Sequence, residues 1–260
     1  MPASNNQYFS KTIEKGLIIL SLFDRDHPRR SLSEITEITG INKTSTYRFV
    51  DTLISLGYLT KNSTNKLLKL GPQAFVMGQN FTHSFDLLQG IKPVIDKTFI
   101  EHGITIDSAL LHNYTLISLY RREAPNILNF RLPLVMDDLY ARAMGKVVLA
   151  HLTETEISQF LANATIKKLT PKTVVNSKDI MKGLELAKTR GYAINDEEYV
   201  LGLRCLAAPL KNYKTDQIVG AISFDFPCSE YTLDTIEKNY TGLLTRLAIE
   251  ISEIFTTADN

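Results

Sequence analysis

Apolar residues recur at helical spacing from the start of the chain. Ile13, Leu17, Leu20 and Phe23 lie on one helical stripe behind Ser10, a residue able to cap a first helix over 10–23. After a turn at 24–30, Ser31-Leu32-Ser33-Glu34 has the S-x-x-E form of a capping box. That predicts a short second helix ending at Gly40. Asn42 then caps a third helix from Lys43 to about Leu56, with Thr46, Phe49, Val50 and Leu53 turned inward and Lys43, Thr44, Ser45, Tyr47 and Arg48 outward. The turn formers Asn62-Ser63-Thr64-Asn65 separate two short strand-like runs, 58–61 and 66–70, which makes a hairpin. Gly71-Pro72 marks a break. Residues 73–102 read as helix in two pieces, with an interruption between Gly90 and Pro93.

Beyond Ile104 the period changes from helical to alternating. Strands are predicted at 105–112, 115–121 and 127–134, helices near 138–151, 154–163 and 177–190, strands at 192–199, 204–211 and 217–226, and a last helix over 230–256. Strands and helices come in blocks, so the class is α+β rather than the steady βαβ alternation of a nucleotide-binding sheet. The division expected is a first domain over 7–71, a linker helix over 72–85 and a second domain over 86–260.

A helix-turn-helix whose third helix exposes short hydroxyl and longer cationic side chains has what reading a DNA major groove requires. The candidate contacts are Asn42, Lys43, Thr44, Ser45, Tyr47 and Arg48. A basic hairpin carrying Lys61, Lys66 and Lys69 would rest on neighbouring phosphates. Charge agrees: residues 1–70 hold ten Lys plus Arg against six Asp plus Glu, about +4 in a chain whose total is +1. The remaining composition, 44% hydrophobic and 22% charged over 260 residues, is that of a globular protein large enough for two domains. The start of the chain has no basic stretch leading into an apolar run, and nowhere do about eighteen apolar residues stand together, so a cytoplasmic protein is expected. Two cysteines, Cys205 and Cys228, form no CxxC pair; neither a disulfide framework nor a metal site nor a cofactor is expected.

Several stretches resemble the IclR family of bacterial regulators. They are Leu32-Ser33-Glu34-Ile35, the run Thr39-Gly40-Ile41-Asn42-Lys43-Thr44-Ser45-Thr46-Tyr47-Arg48, and Leu53-Ile54-Ser55-Leu56-Gly57-Tyr58-Leu59; then Ala143-Met144-Gly145-Lys146-Val147-Val148-Leu149-Ala150, Arg190-Gly191-Tyr192-Ala193, Asp196-Glu197-Glu198, and Gly202-Leu203-Arg204-Cys205-Leu206-Ala207-Ala208-Pro209. They span nearly the whole chain in order. The resemblance implies a winged helix-turn-helix joined by a linker helix to a GAF-like effector-binding domain, double-stranded operator DNA as partner, and a homodimer or tetramer. It also implies a pocket for a small-molecule effector at Ala143, Met144, Asn195, Leu203, Cys205, Ser223 and Asp225. Asn195 stands where the family often has Asp, and Asp225 where it often has a small polar residue. Tyr140-Ala141-Arg142-Ala143-Met144-Gly145-Lys146 is closer to the branch that answers to aromatic acids, which commonly has Tyr where others have His and so adds Tyr140; Arg142 joins it as a bidentate partner for an anion.

Free amides at a helix N-terminus beside Arg142 favour an anion, which makes a small organic acid the expected effector. Two readings stand for Arg142, pocket cation or surface charge, and two for Cys205, pocket lining or a small buried hydrophobe. The rival function is an enzyme acting on a small metabolite, with Cys205 as nucleophile and His27, His83, His102, His112 or His151 as base. No histidine pair, GxSxG or glycine-rich phosphate loop supports it, and no enzymatic activity is expected.

Overall fold

The computed structural model describes residues 8–84, 86–125, 127 and 133–258. The chain divides into two compact units, Met1–Phe85 and Asp86–Asn260.

In the first unit α1 (Lys11–Ser21), α2 (Leu32–Thr39) and α3 (Lys43–Ser55) pack around Ile19, Phe23, Ile35, Ile41, Val50, Leu59 and Leu68. The local signals account for the helix ends. Ser31 Oγ accepts the Glu34 amide at 3.2 Å while the Glu34 carboxylate accepts the Ser31 amide at 2.6 Å, the reciprocal capping box. Gly40 closes α2 in the left-handed region, φ 65°, where a side chain would be strained. Asn42 Oδ1 accepts the Ser45 amide at 2.9 Å and starts α3. The stripe expected on α1 is corrected: Ile19 and Phe23 face the core with Leu20 beside them, whereas Ile13 and Leu17 are exposed. Periodicity marks an apolar face without saying what will cover it.

Strands β1 (Leu59–Lys61) and β2 (Leu68–Leu70) pair antiparallel, and Arg30 adds a one-residue bridge to Leu68 that the sequence did not announce. Gly71 lies so close to Gly57 that an added Cβ would sit 2.2 Å from the Gly57 carbonyl oxygen, which is why the wing can fold straight back into α4 (Pro72–Ser84).

The second unit is a six-stranded antiparallel sheet in the order β5-β4-β3-β8-β7-β6, built from β3 (Thr105–His112), β4 (Thr115–Arg122), β5 (Val135–Met136), β6 (Ala193–Asp196), β7 (Leu203–Asn212) and β8 (Gln217–Pro227). Ile106, Leu206, Ile222 and Phe224 are buried on one face, where α5 (Asp86–His102) and α9 (Leu233–Ala258) pack. Gly90 permits the approach of those helices, since a Cβ there would lie 2.7 Å from Ile254. No interruption occurs at Gly90 or Pro93; α5 runs through both, because a single proline forfeits one amide bond while the flanking turns stay packed.

On the opposite face Ala109, Ala193, Ala207 and Ala221 present small side chains to α6 (Ala143–Leu149), α7 (Glu154–Asn163) and α8 (Ser177–Arg190). The single helix expected over 138–151 is instead a 3₁₀ turn, Leu139–Ala141, then Arg142 in extended conformation, then the seven residues of α6. The strand expected at 192–199 stops at Asp196, where Glu197 takes a positive φ of 61°. The strand expected at 127–134 falls largely outside the described residues. Among the described residues no helix is long and apolar enough to cross a membrane.

Candidate functional sites

In the first unit, the N-cap Asn42 spends its side chain on Ser45, so it sets where α3 begins rather than reaching outward. Lys43, Thr44, Tyr47 and Arg48 are exposed along the first turns, Ser45 is half-buried, and Thr46 is fully buried with its hydroxyl donating to the Ile41 and Asn42 carbonyls, both at 3.1 Å. Lys61, Lys66 and Lys69 are exposed on the hairpin; the Lys66 ammonium donates to the Ser63 carbonyl at 2.7 Å. The result is a cationic helix face beside a cationic hairpin, and among the described residues no buried carboxylate pairs with these lysines.

In the second unit a small cavity lies between α6 and the sheet. Asp107, Arg142, Ala143, Met144, Asn195, Tyr199, Leu203, Cys205, Ser223 and Asp225 line it. Strand register explains the gathering. Asp107 pairs with Arg121 on one side and Ser223 on the other, while Asp225 pairs with Cys205 and Cys205 with Asn195. Residues adjacent across an antiparallel sheet point to the same face, so β3, β8, β7 and β6 put Asp107, Ser223, Asp225, Cys205 and Asn195 under the start of α6.

Every pocket residue expected from sequence lines this cavity except Tyr140. Its ring is buried, but its hydroxyl donates to the Lys167 carbonyl at 2.8 Å and accepts the Lys167 amide at 2.9 Å, which ties down a loop instead. Arg142 is no surface charge: it is buried, its Nε and Nη2 are held by the Asp138 carboxylate, and its guanidinium stacks 3.6 Å from the centre of the Tyr199 ring. Asn195 donates to the Ala141 carbonyl and accepts the Glu198 amide at 3.0 Å. It therefore braces the turn that delivers Tyr199. Thr170 and Thr173 hold the same turn by donating to the Glu197 and Glu198 carbonyls at 2.7 and 2.6 Å.

Three residues were missed: Asp107, Arg121 and Tyr199. Arg121 Nη1 lies 2.7 Å from Asp225 and 3.4 Å from Asp107, and its Nε donates to Glu123 at 2.8 Å. Burial, opposed by Arg121 and assisted by the neighbouring Asp225 charge, pushes the Asp107 carboxyl up to about 7. Burial and then Asp225 push the Cys205 thiol well up as well, so it is the opposite of an activated nucleophile. An aspartate in the middle of the apolar run 104–111 was the available signal for Asp107; only strand pairing connects it to Arg121.

A further cluster, Asp196, Glu197 and Cys228, brings ligand-type atoms within 4.8 Å of one another. Its carboxylates are already held by Lys172 at 3.0 and 2.5 Å and by Arg204 at 2.7 Å, so it reads as an ion-pair network closing the end of β6 rather than as a metal centre.

Residues 12–63 match the IclR helix-turn-helix domain, and residues 79–253 match the C-terminal domain of bacterial transcriptional regulators of the IclR type. The chain is 26% identical over 226 residues to the HTH-type transcriptional repressor AllR of Salmonella typhimurium, covering 86% of this chain and 83% of that one. It is 27% identical over 252 residues to the transcriptional repressor IclR of Escherichia coli, covering 93% and 89%. Among solved structures, an IclR homologue from Microbacterium hydrocarbonoxydans complexed with 4-hydroxybenzoate shares the fold, with a TM-score of 0.76 at 18% identity over 94% of this chain and 98% of that one.

Proposed function

This chain belongs to the IclR family of bacterial transcriptional regulators, and from that premise we propose that it represses transcription from a double-stranded operator until a small organic acid occupies the cavity beneath α6. The observation that carries the DNA half is the exposed cationic start of α3 beside the lysine-bearing hairpin. In this reading Lys61 and Lys66 contact phosphates and position the module, and Lys43, Thr44, Tyr47 and Arg48 read base edges. The effector half is supported by a cavity whose lining includes the buried Arg142 guanidinium, and by the family relative crystallised with an aromatic acid.

A homodimer is the assembly this reading requires, since a two-fold protein matches a two-fold operator. Ile13 and Leu17 on α1 and Phe75, Met77 and Phe81 on α4 are all more than half exposed, apolar side chains on two helices of the DNA-binding unit that contact with a second copy of the chain would cover.

Mobility shifts on DNA upstream of the protein's own gene test the proposal. Arg48→Ala or Lys43→Ala weakens binding at least about tenfold, and wild-type affinity falls steeply with salt as counterions are released. Unchanged affinity in both variants would mean that α3 is not the recognition helix.

A further inference from the structure

Asp107 is the least satisfied charged group in the cavity. Its side chain is fully buried on the central strand β3, yet its contacts are a hydroxyl, Ser118 Oγ, and a guanidinium nitrogen, Arg121 Nη1, each at 3.4 Å. Both lie at the outer limit of hydrogen bonding, where such contacts are weak. The same Arg121 nitrogen is 2.7 Å from Asp225, so the guanidinium belongs first to Asp225. Asp225 is also served by Ser223 at 3.2 Å. Desolvating a carboxyl this thoroughly is costly unless a donor completes it. Across the same cavity Arg142 offers the complement: Asp138 takes Nε and Nη2, and among the described residues no hydrogen-bond acceptor takes Nη1.

We propose that Asp107 receives a hydrogen bond from a hydroxyl group of the ligand, so that the effector is a hydroxy acid rather than an unsubstituted one, its carboxylate on Arg142 and its hydroxyl on Asp107. This rests on the reading of the cavity as an organic-acid site and narrows it. A hydroxyl donating to a buried carboxylate makes a short charge-assisted bond, about twice as strong as a neutral one. A plain acid leaves Asp107 as it stands and adds a negative charge beside Asp107 and Asp225. An oxo acid needs the reverse polarity, a proton on Asp107 donated to the ligand carbonyl.

Two sets of probes, propionate, lactate and pyruvate, and benzoate and 4-hydroxybenzoate, separate these cases by calorimetric titration of the full-length protein. The hydroxy member of at least one set binds about tenfold or more tightly than its parent, the change expected of one charge-assisted bond. Asp107→Asn, and Asp107→Ala if the amide alone proves too conservative, reduce that advantage, read as the ratio of hydroxy-acid to parent affinity within each variant, to less than about threefold. The advantage grows between about pH 6 and pH 8 as Asp107 ionises against the fixed surroundings of Arg121, Asp225, Cys205 and Arg142. Equal binding of parent and hydroxy acids, an advantage that survives both Asp107 substitutions, or a preference for pyruvate that fades as pH rises overturns the inference and leaves the organic-acid reading standing. Failure of every acid to bind removes both.

Discussion

Replacing Asp107 by asparagine keeps its size and removes its charge, and the consequence for stability depends on pH in a calculable way. In the unfolded chain the carboxyl titrates near 3.8; in the folded protein burial, with the Asp225 charge adding to it and Arg121 opposing it, raises it to about 7. Below the lower value both states hold the proton and the group contributes no pH dependence. Between the two values the unfolded state has released a proton that the folded state retains, so stability falls as pH rises, by at most about 1.4 kcal/mol per pH unit. Above about 7 both states are ionised and the loss is complete, up to about 4 kcal/mol in all. From about pH 5 to pH 8 the Asp107 carboxyl alone accounts for roughly 2.5 kcal/mol of that loss. The asparagine variant lacks it, while every other titrating group is common to both proteins and cancels in the comparison. Calorimetric melting of the two full-length proteins at both pH values reads the difference. The variant gains on the wild type by roughly 5–10 °C in the transition of the second unit as the pH is raised. Parallel melting curves at the two pH values would show that Asp107 is not held as a high-titrating buried acid.

Other substitutions probe the features that shape the two units. In Gly145→Ala the new Cβ would meet the Leu139 carbonyl oxygen at 2.1 Å and its Cα at 2.4 Å, backbone that cannot swing aside; a loss of about 2–3 kcal/mol in a denaturant titration is expected, and a neutral result would refute the close packing of the 3₁₀ turn on α6. Ser31→Ala removes the acceptor for the Glu34 amide, and melting of the DNA-binding unit should fall by several degrees. Burial raises the Cys205 thiol well above its ordinary value, so a disulfide exchange reagent near pH 8 labels it far more slowly in the native protein than in denaturant; rapid native labelling would reopen the nucleophile reading.

The DNA-binding unit was legible because its information is local. A capping box, a glycine stop, an asparagine cap and a turn cluster each act through partners within four residues, so their hydrogen bonds are set by the local sequence. Strands β3, β4, β7 and β8 were likewise found within one or two residues of their bounds, since alternation survives burial. The sequence alone therefore determined an α+β chain with a basic N-terminal helix-turn-helix, and the resemblance it carries brought most of the cavity residues into view. What it left undecided was set by pairing between distant segments. Asp107 and Arg121 became partners because β3 and β4 align them, and Asp225 joined them from 104 residues beyond Arg121 because β8 inserts on the other side of β3. Tyr140 left the cavity because its hydroxyl found the Lys167 backbone, and Arg142 entered it because Asp138 and Tyr199 close around its guanidinium. Ile13 and Leu17 have the spacing of core residues and remain outside. Spacing records which side chains share a face; tertiary contacts alone decide what that face meets, because burial and charge pairing are properties of the neighbours that folding brings to it.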